Sequence, residues 1–187
     1  MAGRRLILAL IAVMLLPAAA HAQANTGFAT AFIGAARAGD ITESGWTPGA
    51  AVVIVDERGL GAELDGSYVS EFDHSRFVES GITTLMLNVT GIFLKPPSIV
   101  RPYVTGGVGL LRTRVCVNDC SFAVTHADVG MDIGAGVFVL LNEMWGARGD
   151  VRYFRDLQTH GDLPLAAPGK FEFWRISIGA TLSWPMP

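Results

Sequence analysis

Three consecutive residues, Asp73-His74-Ser75, supply the acid, base and hydroxyl of a nucleophilic hydrolase, and His126, Asp128, His160 and Asp162 add more of the same types. Such a set works only if the hydroxyl meets the base and the base meets the acid. Sequence neighbours do not normally satisfy that geometry. The plain reading of all seven is solvated loop residues, and no catalytic residue is assigned.

A second group is spaced with more regularity. Glu63 and Asp65 are two apart, and so are Arg148, Asp150 and Arg152, with Asp132 and Arg175 elsewhere in the chain. A period of two puts side chains on one face of an extended strand. Four acids and three bases on such a face can pair if they are enclosed together, and enclosed charge must pair because unpaired buried charge is costly.

The two cysteines, Cys116 and Cys120, close a short C-x-x-x-C loop. A disulfide is the default for an exported chain, and a metal site lacks a second pair of ligands. No metal or cofactor motif is present. Arg112, Arg114 and Arg155 form a further basic set: guanidinium groups suit bidentate phosphate contact, and loop salt bridges are the alternative.

The elements that must hold these residues come next. Met1 to Arg5 is basic, Leu6 to Leu16 is apolar, and Ala20-His21-Ala22 is a small-x-small site. This is the layout of a cleaved secretory signal peptide over residues 1–22, too short for a spanning helix. Residues 23–187 then form one domain. Of 14 basic residues Arg4 and Arg5 leave with the signal, so 12 face 17 acidic ones and the net charge is −5. That balance argues against nucleic acid as a partner.

The domain reads as eight strands. They cover 26–37, 46–55, 60–70, 82–93, 103–112, 127–141, 145–155 and 171–184. The last is the clearest: Trp174, Ile176, Ile178, Ala180, Leu182 and Trp184 alternate with Arg175, Ser177, Gly179, Thr181 and Ser183. It is longer than an ordinary globular strand, and a tilted strand needs about 9–11 residues to cross a bilayer. The register of the first strand is unclear, because both of its faces are apolar.

Short connections at 56–59, 95–98 and 142–143 alternate with long ones at 38–44, 71–81, 114–126 and 158–170. That is the rhythm of an up-and-down outer-membrane barrel, with short periplasmic turns and longer external loops. A soluble, lipocalin-like binding barrel has the same strand count with its apolar face inward. Against it stand the strand-borne charges and a chain with only two lysines, Lys95 and Lys170. Aromatics near strand ends (Trp46, Tyr103, Trp145, Trp174 and Trp184) also favour lipid outside. The charged face then lines the lumen. Eight strands leave an interior just wide enough for side chains, so no wide pore is expected, with a narrow conduit as the alternative.

With this pattern the chain resembles bacterial outer-membrane β-barrel domain proteins of the OmpA/OmpX-like type. The resemblance is carried by the signal peptide, by Arg101-Pro102-Tyr103-Val104-Thr105-Gly106-Gly107-Val108-Gly109, by Arg148-Gly149-Asp150-Val151-Arg152-Tyr153-Phe154-Arg155 and by the terminal strand. It implies an outer-membrane location and dependence on the barrel-assembly machinery, with Ser177, Gly179, Leu182 and Trp184 as the assembly signal. The tail Pro185-Met186-Pro187 departs from the usual terminal aromatic. Some barrels of this size are lipid A deacylases or acyltransferases, which makes a lipid-modifying enzyme the alternative to a structural or surface-interaction protein. Bilayer and lipopolysaccharide are the expected partners of a monomer, the latter through Arg112, Arg114 and Arg155, with an extracellular ligand on the loops.

Overall fold

The structure, a computed structural model, describes residues 25–38, 41–70, 78–93, 98–117, 122–157 and 172–186. Residues 1–22, expected to form the signal peptide, lie outside the described residues, as do Asp73-His74-Ser75, Cys120, His160 and Asp162. So do the side chains of Cys116 and His126, and with them the Cys116–Cys120 pairing.

Eight antiparallel strands close into one barrel: β1 (Asn25–Ala38), β2 (Ile41–Val55), β3 (Leu60–Ser70), β4 (Val78–Ile92), β5 (Val100–Val117), β6 (Phe122–Leu140), β7 (Trp145–Asp156) and β8 (Glu172–Met186). Each pairs with its sequence neighbours, and β8 closes on β1 from Asn25↔Met186 to Arg37↔Trp174. Closure leaves no unpaired edge, which a barrel in lipid requires.

The alternation of the sequence sorts directly into two surfaces. Leu64, Leu85, Leu87, Val89, Leu110, Ile133, Ile176 and Ile178 point outward, and Ile178 is 67% exposed. Glu63, Asp65, Asp132, Arg148, Asp150, Arg152 and Arg175 point inward and are buried. Trp174 and Trp184 mark the two ends of the apolar band on β8. Ten residues at about 3.3 Å each give ~33 Å along the strand. At a tilt near 40° that is ~25 Å of height, the thickness of an outer-membrane apolar band. No helix among the described residues is long and apolar enough to cross a membrane; the crossing is made by strands.

The largest departures from the sequence reading lie at outer strand ends, where β4 begins at Val78 rather than at residue 82. β2 begins at Ile41, so the β1–β2 connection is only residues 39–40. The β5–β6 ladder continues to Val117↔Phe122, through most of the stretch read as a loop. Backbone pairing needs no lipid, whereas apolar alternation on the outer face does. The ladder therefore runs on past the point where the pattern fades.

The interior has three layers. At the end reached by the tops of β3, β5 and β7, Ala36, Val69, Ile82, Met86, Leu111, Phe154 and Phe173 form an apolar cluster. At the opposite end, beside the chain termini, Phe28, Val53, Val55, Ile92, Tyr103 and Phe138 form another, with Leu140 packed against it. The charged residues fill the space between. These two plugs resolve the register of β1: Phe28, Phe32 and Ala36 face in, while Ala31, Ile33 and Ala35 face out. Tyr103, grouped above with the strand-end aromatics of the lipid side, also turns inward and is 1% exposed. Its neighbour Val104 faces out, so parity alone places it.

Candidate functional site: a charged lumen between two apolar clusters

Alternation along β3, β6, β7 and β8 delivers the seven charged side chains to one level of the lumen. Glu63 stands near the centre. Its Oε1 accepts from Arg148 Nη2 at 2.7 Å and from Arg152 Nη2 at 2.6 Å. The hydroxyls of Thr105 and Thr90 lie 2.9 and 3.1 Å from its Oε2. Both oxygens are thus held from three other strands.

Arg152 is the hub. Besides Glu63 it reaches Asp132 Oδ2 at 3.2 Å and Asp65 Oδ2 at 3.7 Å through Nη1, and Asp150 Oδ2 at 3.3 Å through Nε. One guanidinium therefore faces four carboxylates. Its planar fork of five donors suits that task, as a lysine would not.

Asp150 collects the polar residues of the lower lumen. Its Oδ2 accepts from the Tyr103 hydroxyl at 2.9 Å, and its Oδ1 from Ser177 Oγ at 2.8 Å. Arg148 Nε in turn donates to the Tyr103 oxygen at 2.7 Å. Arg175 binds Asp65 and also donates to Ser67 Oγ at 2.8 Å.

The plugs take part in the electrostatics. Arg148 lies over the rings of Tyr103 and Phe138, 4.8 and 5.1 Å from their centroids. Arg175 lies over Phe32 and Phe154 at 4.6 and 5.1 Å. A ring face is an acceptable surface for a cation. Arg148 Nη1 and Arg175 Nε, which find no oxygen, belong to these stacked groups. Charged and apolar layers are joined in this way at both ends.

Sequence reasoning named the seven charges and left out the neutral members. Asn88, Thr90 and Thr105 are buried and inward, as is Tyr103. Their signal was parity: each lies on the same strand face as other polar or small residues.

The basic rim residues are not brought together. Arg112 and Arg114 are exposed on the outer surface of β5. Arg112 pairs across to Thr83 and Ala127, and Arg114 to Gly81 and Thr125, all uncharged. The Tyr68 side chain reaches over Gly81, where a Cβ would stand 2.5 Å from its hydroxyl. Arg155 sits apart on β7, with Nε 4.0 Å from Glu172 Oε2. The same Glu172 oxygen accepts the Tyr153 hydroxyl.

The four residues expected to form the assembly signal divide between surfaces. Ser177 and Gly179 face the lumen, and a Cβ on Gly179 would stand 2.4 Å from the Ala31 carbonyl oxygen. Leu182 and Trp184 face out, and the Trp184 indole covers Gly27.

A closed, lipid-sheathed barrel with a paired polar interior is an integral outer-membrane protein in architecture. The family model described as outer membrane protein beta-barrel domain matches residues 6–183, and the chain belongs to that family. Its place is the bacterial outer membrane. Similar solved structures include Neisserial surface protein A, at 13% identity and a TM-score of 0.62, covering 85% of this chain and 95% of that one. The N-terminal β-barrel domain of Pseudomonas aeruginosa OprF is similar at 19% identity and a TM-score of 0.58, covering 87% and 100%. Ail, the attachment invasion locus protein of Yersinia pestis, solved with the heparin analogue sucrose octasulfate, is similar at 10% identity and a TM-score of 0.54, covering 85% and 99%. At these identities the likeness is one of fold. No curated protein matches the chain.

Proposed function

We propose that this protein is a non-porous, non-enzymatic surface barrel. It is exported by the signal peptide at residues 1–22, is inserted by the barrel-assembly machinery, and acts through its external strand ends. The three-layer lumen carries this reading. An apolar plug closes each end, and the intervening charges are engaged with one another, so neither water nor solute has a continuous path. An enclosed network of this kind fixes strand register and fills the barrel. What is left for interaction is the outer surface and the external hairpins.

At the outer rim Arg112 and Arg114 present two guanidinium groups on one face of β5. Their cross-strand neighbours carry no charge. We assign to them the contact with lipopolysaccharide phosphates, with the Tyr68 hydroxyl nearby as a neutral donor. Arg155, drawn toward Glu172, has a smaller part in it.

Planar-bilayer recording from the purified protein tests the sealed lumen. The expected result is no steady conductance above the bare membrane. A large, persistent conductance overturns the proposal. Amino-terminal sequencing of the outer-membrane form tests the export step, with Gln23 expected first.

A further inference from the structure

The lumen layer sets four carboxylates (Glu63, Asp65, Asp132 and Asp150) against three guanidiniums (Arg148, Arg152 and Arg175), all of them buried. If every group is ionised, one negative charge is in excess inside a membrane-embedded barrel. The contacts show where the excess falls. Glu63 takes two guanidiniums and two hydroxyls, Asp65 takes both terminal nitrogens of Arg175, and Asp150 takes Tyr103, Ser177 and two arginines. Asp132 has only Arg152 Nη1 at 3.2 Å and Asn88 Nδ2 at 3.3 Å, both on Oδ2. Its Oδ1 is buried with no hydrogen-bond partner, and so is Asn88 Oδ1.

Two neighbouring groups thus each leave an acceptor without a donor. Arg152 does not supply one: it meets Asp132 only at Oδ2 and otherwise faces Glu63, Asp65 and Asp150. The remaining charged groups of this layer face elsewhere: Arg175 on β8 is held by Asp65, and Arg148 on β7 by Glu63 and Asp150. Asp128 on β6 and Asp156 on β7 lie nearer the outer end and have interactions of their own. Opposite Asp132, β5 offers Gly107. Among the described side chains, β1 and β2 present no titratable group to the lumen.

We propose that Asp132 holds a proton in the folded barrel and pairs with Asn88 as a neutral acid–amide couple. The carboxylic O–H donates to Asn88 Oδ1 while Asn88 Nδ2 donates to the other carboxyl oxygen. One proton then satisfies both orphaned acceptors and leaves three acids against three bases. It places a single proton-binding site in an otherwise permanently charged lumen. Because the folded state holds this proton and the unfolded chain at neutral pH does not, stability falls as pH rises through the folded titration.

Infrared difference spectroscopy on the folded, full-length protein in detergent at neutral pH reads the protonated carboxyl carbonyl directly. A band in the wild type that is lost in Asp132→Asn is expected. Denaturant unfolding supplies the second measurement. Asp132→Asn, shaped like the neutral acid, is expected to leave the unfolding constant within a few fold of wild type. Asp65→Asn, which strands Arg175, is expected to raise it by about a hundredfold or more. A wild-type spectrum without the band overturns the proposal, as does a band that persists in Asp132→Asn, or an Asp132→Asn barrel weakened as much as Asp65→Asn. If Asp132→Asn does not fold, the wild-type spectrum alone decides against the proposal by lacking the band, or for it by showing the band and losing it at alkaline pH.

Discussion

Arg175 holds both oxygens of Asp65, Nη1 on Oδ1 at 2.9 Å and Nη2 on Oδ2 at 2.8 Å, and so ties β8 to β3 across the lumen. The two residues are 110 positions apart in sequence and each is 0% exposed. Breaking such a pair from one side leaves an uncompensated buried charge, at about 3–5 kcal/mol. Arg175→Leu is expected to destabilise the barrel by about the lower of these values, since Arg152 Nη1 stands 3.7 Å from Asp65 and relieves part of the loss. The double variant Asp65→Leu/Arg175→Leu is expected to recover most of it, because no charge is then left unpaired. Urea unfolding in detergent micelles measures both.

The rim arginines separate in the same manner. Arg112 and Arg114 face uncharged neighbours, whereas Arg155 leans on Glu172. Arg112→Ala/Arg114→Ala is expected to lower the lipopolysaccharide that co-purifies with the barrel severalfold. Arg155→Ala is expected to change it little. Phosphate analysis of matched preparations compares them, and an unchanged content in the double variant removes these residues from lipid contact.

The aromatic plugs are expected to be redundant with respect to leakage but not to stability. Phe154 and Phe173 stack at 4.8 Å near the outer end, and Phe28 and Phe138 stack at 4.9 Å near the other. Phe154→Ala removes a fully buried ring, which costs about 3–5 kcal/mol in a packed interior. Its unfolding midpoint is expected to drop accordingly. Its conductance is expected to stay at background, because the charged layer and the second plug remain.

The strand period carried most of this architecture on its surface, because lipid on one side and charge on the other impose opposite chemistries on alternate residues. Glu63, Asp65, Arg148, Asp150, Arg152 and Arg175 are placed by that rule alone. It lapses in two regions for two reasons. In β1 the interior itself is apolar, so Phe28, Phe32 and Ala36 look no different from Ile33 and Ala35. Beyond the lipid band, in 41–45, 113–117 and 122–126, the strands continue where that rule no longer marks them. Which acid pairs with which base was not legible either. Pairing depends on the stagger between strands, and Arg152 meets Asp132 and Asp65 only once the barrel has closed.

The fit of β4 against β5 makes a sharper demand on a single glycine. Gly107 faces the lumen opposite Asp132 and between Asn88 and the β6 backbone. A Cβ there would stand 2.1 Å from the Leu87 carbonyl oxygen and 2.3 Å from Asn88 Oδ1. Backbone cannot step aside without lengthening ladder hydrogen bonds, and Asn88 cannot move without losing Asp132. Gly91 sits on the same pair of strands with nothing within 4 Å of its Cβ position. Gly107→Ala is therefore expected to destabilise by about 1–3 kcal/mol, the range for forcing extra volume into a packed interior. Gly91→Ala is expected to be neutral or slightly stabilising, by up to about 1 kcal/mol, because it only restricts the unfolded chain. Paired denaturation curves decide between them, and equal midpoints for the two variants would show that the lumen at Asn88 has slack that this packing does not allow.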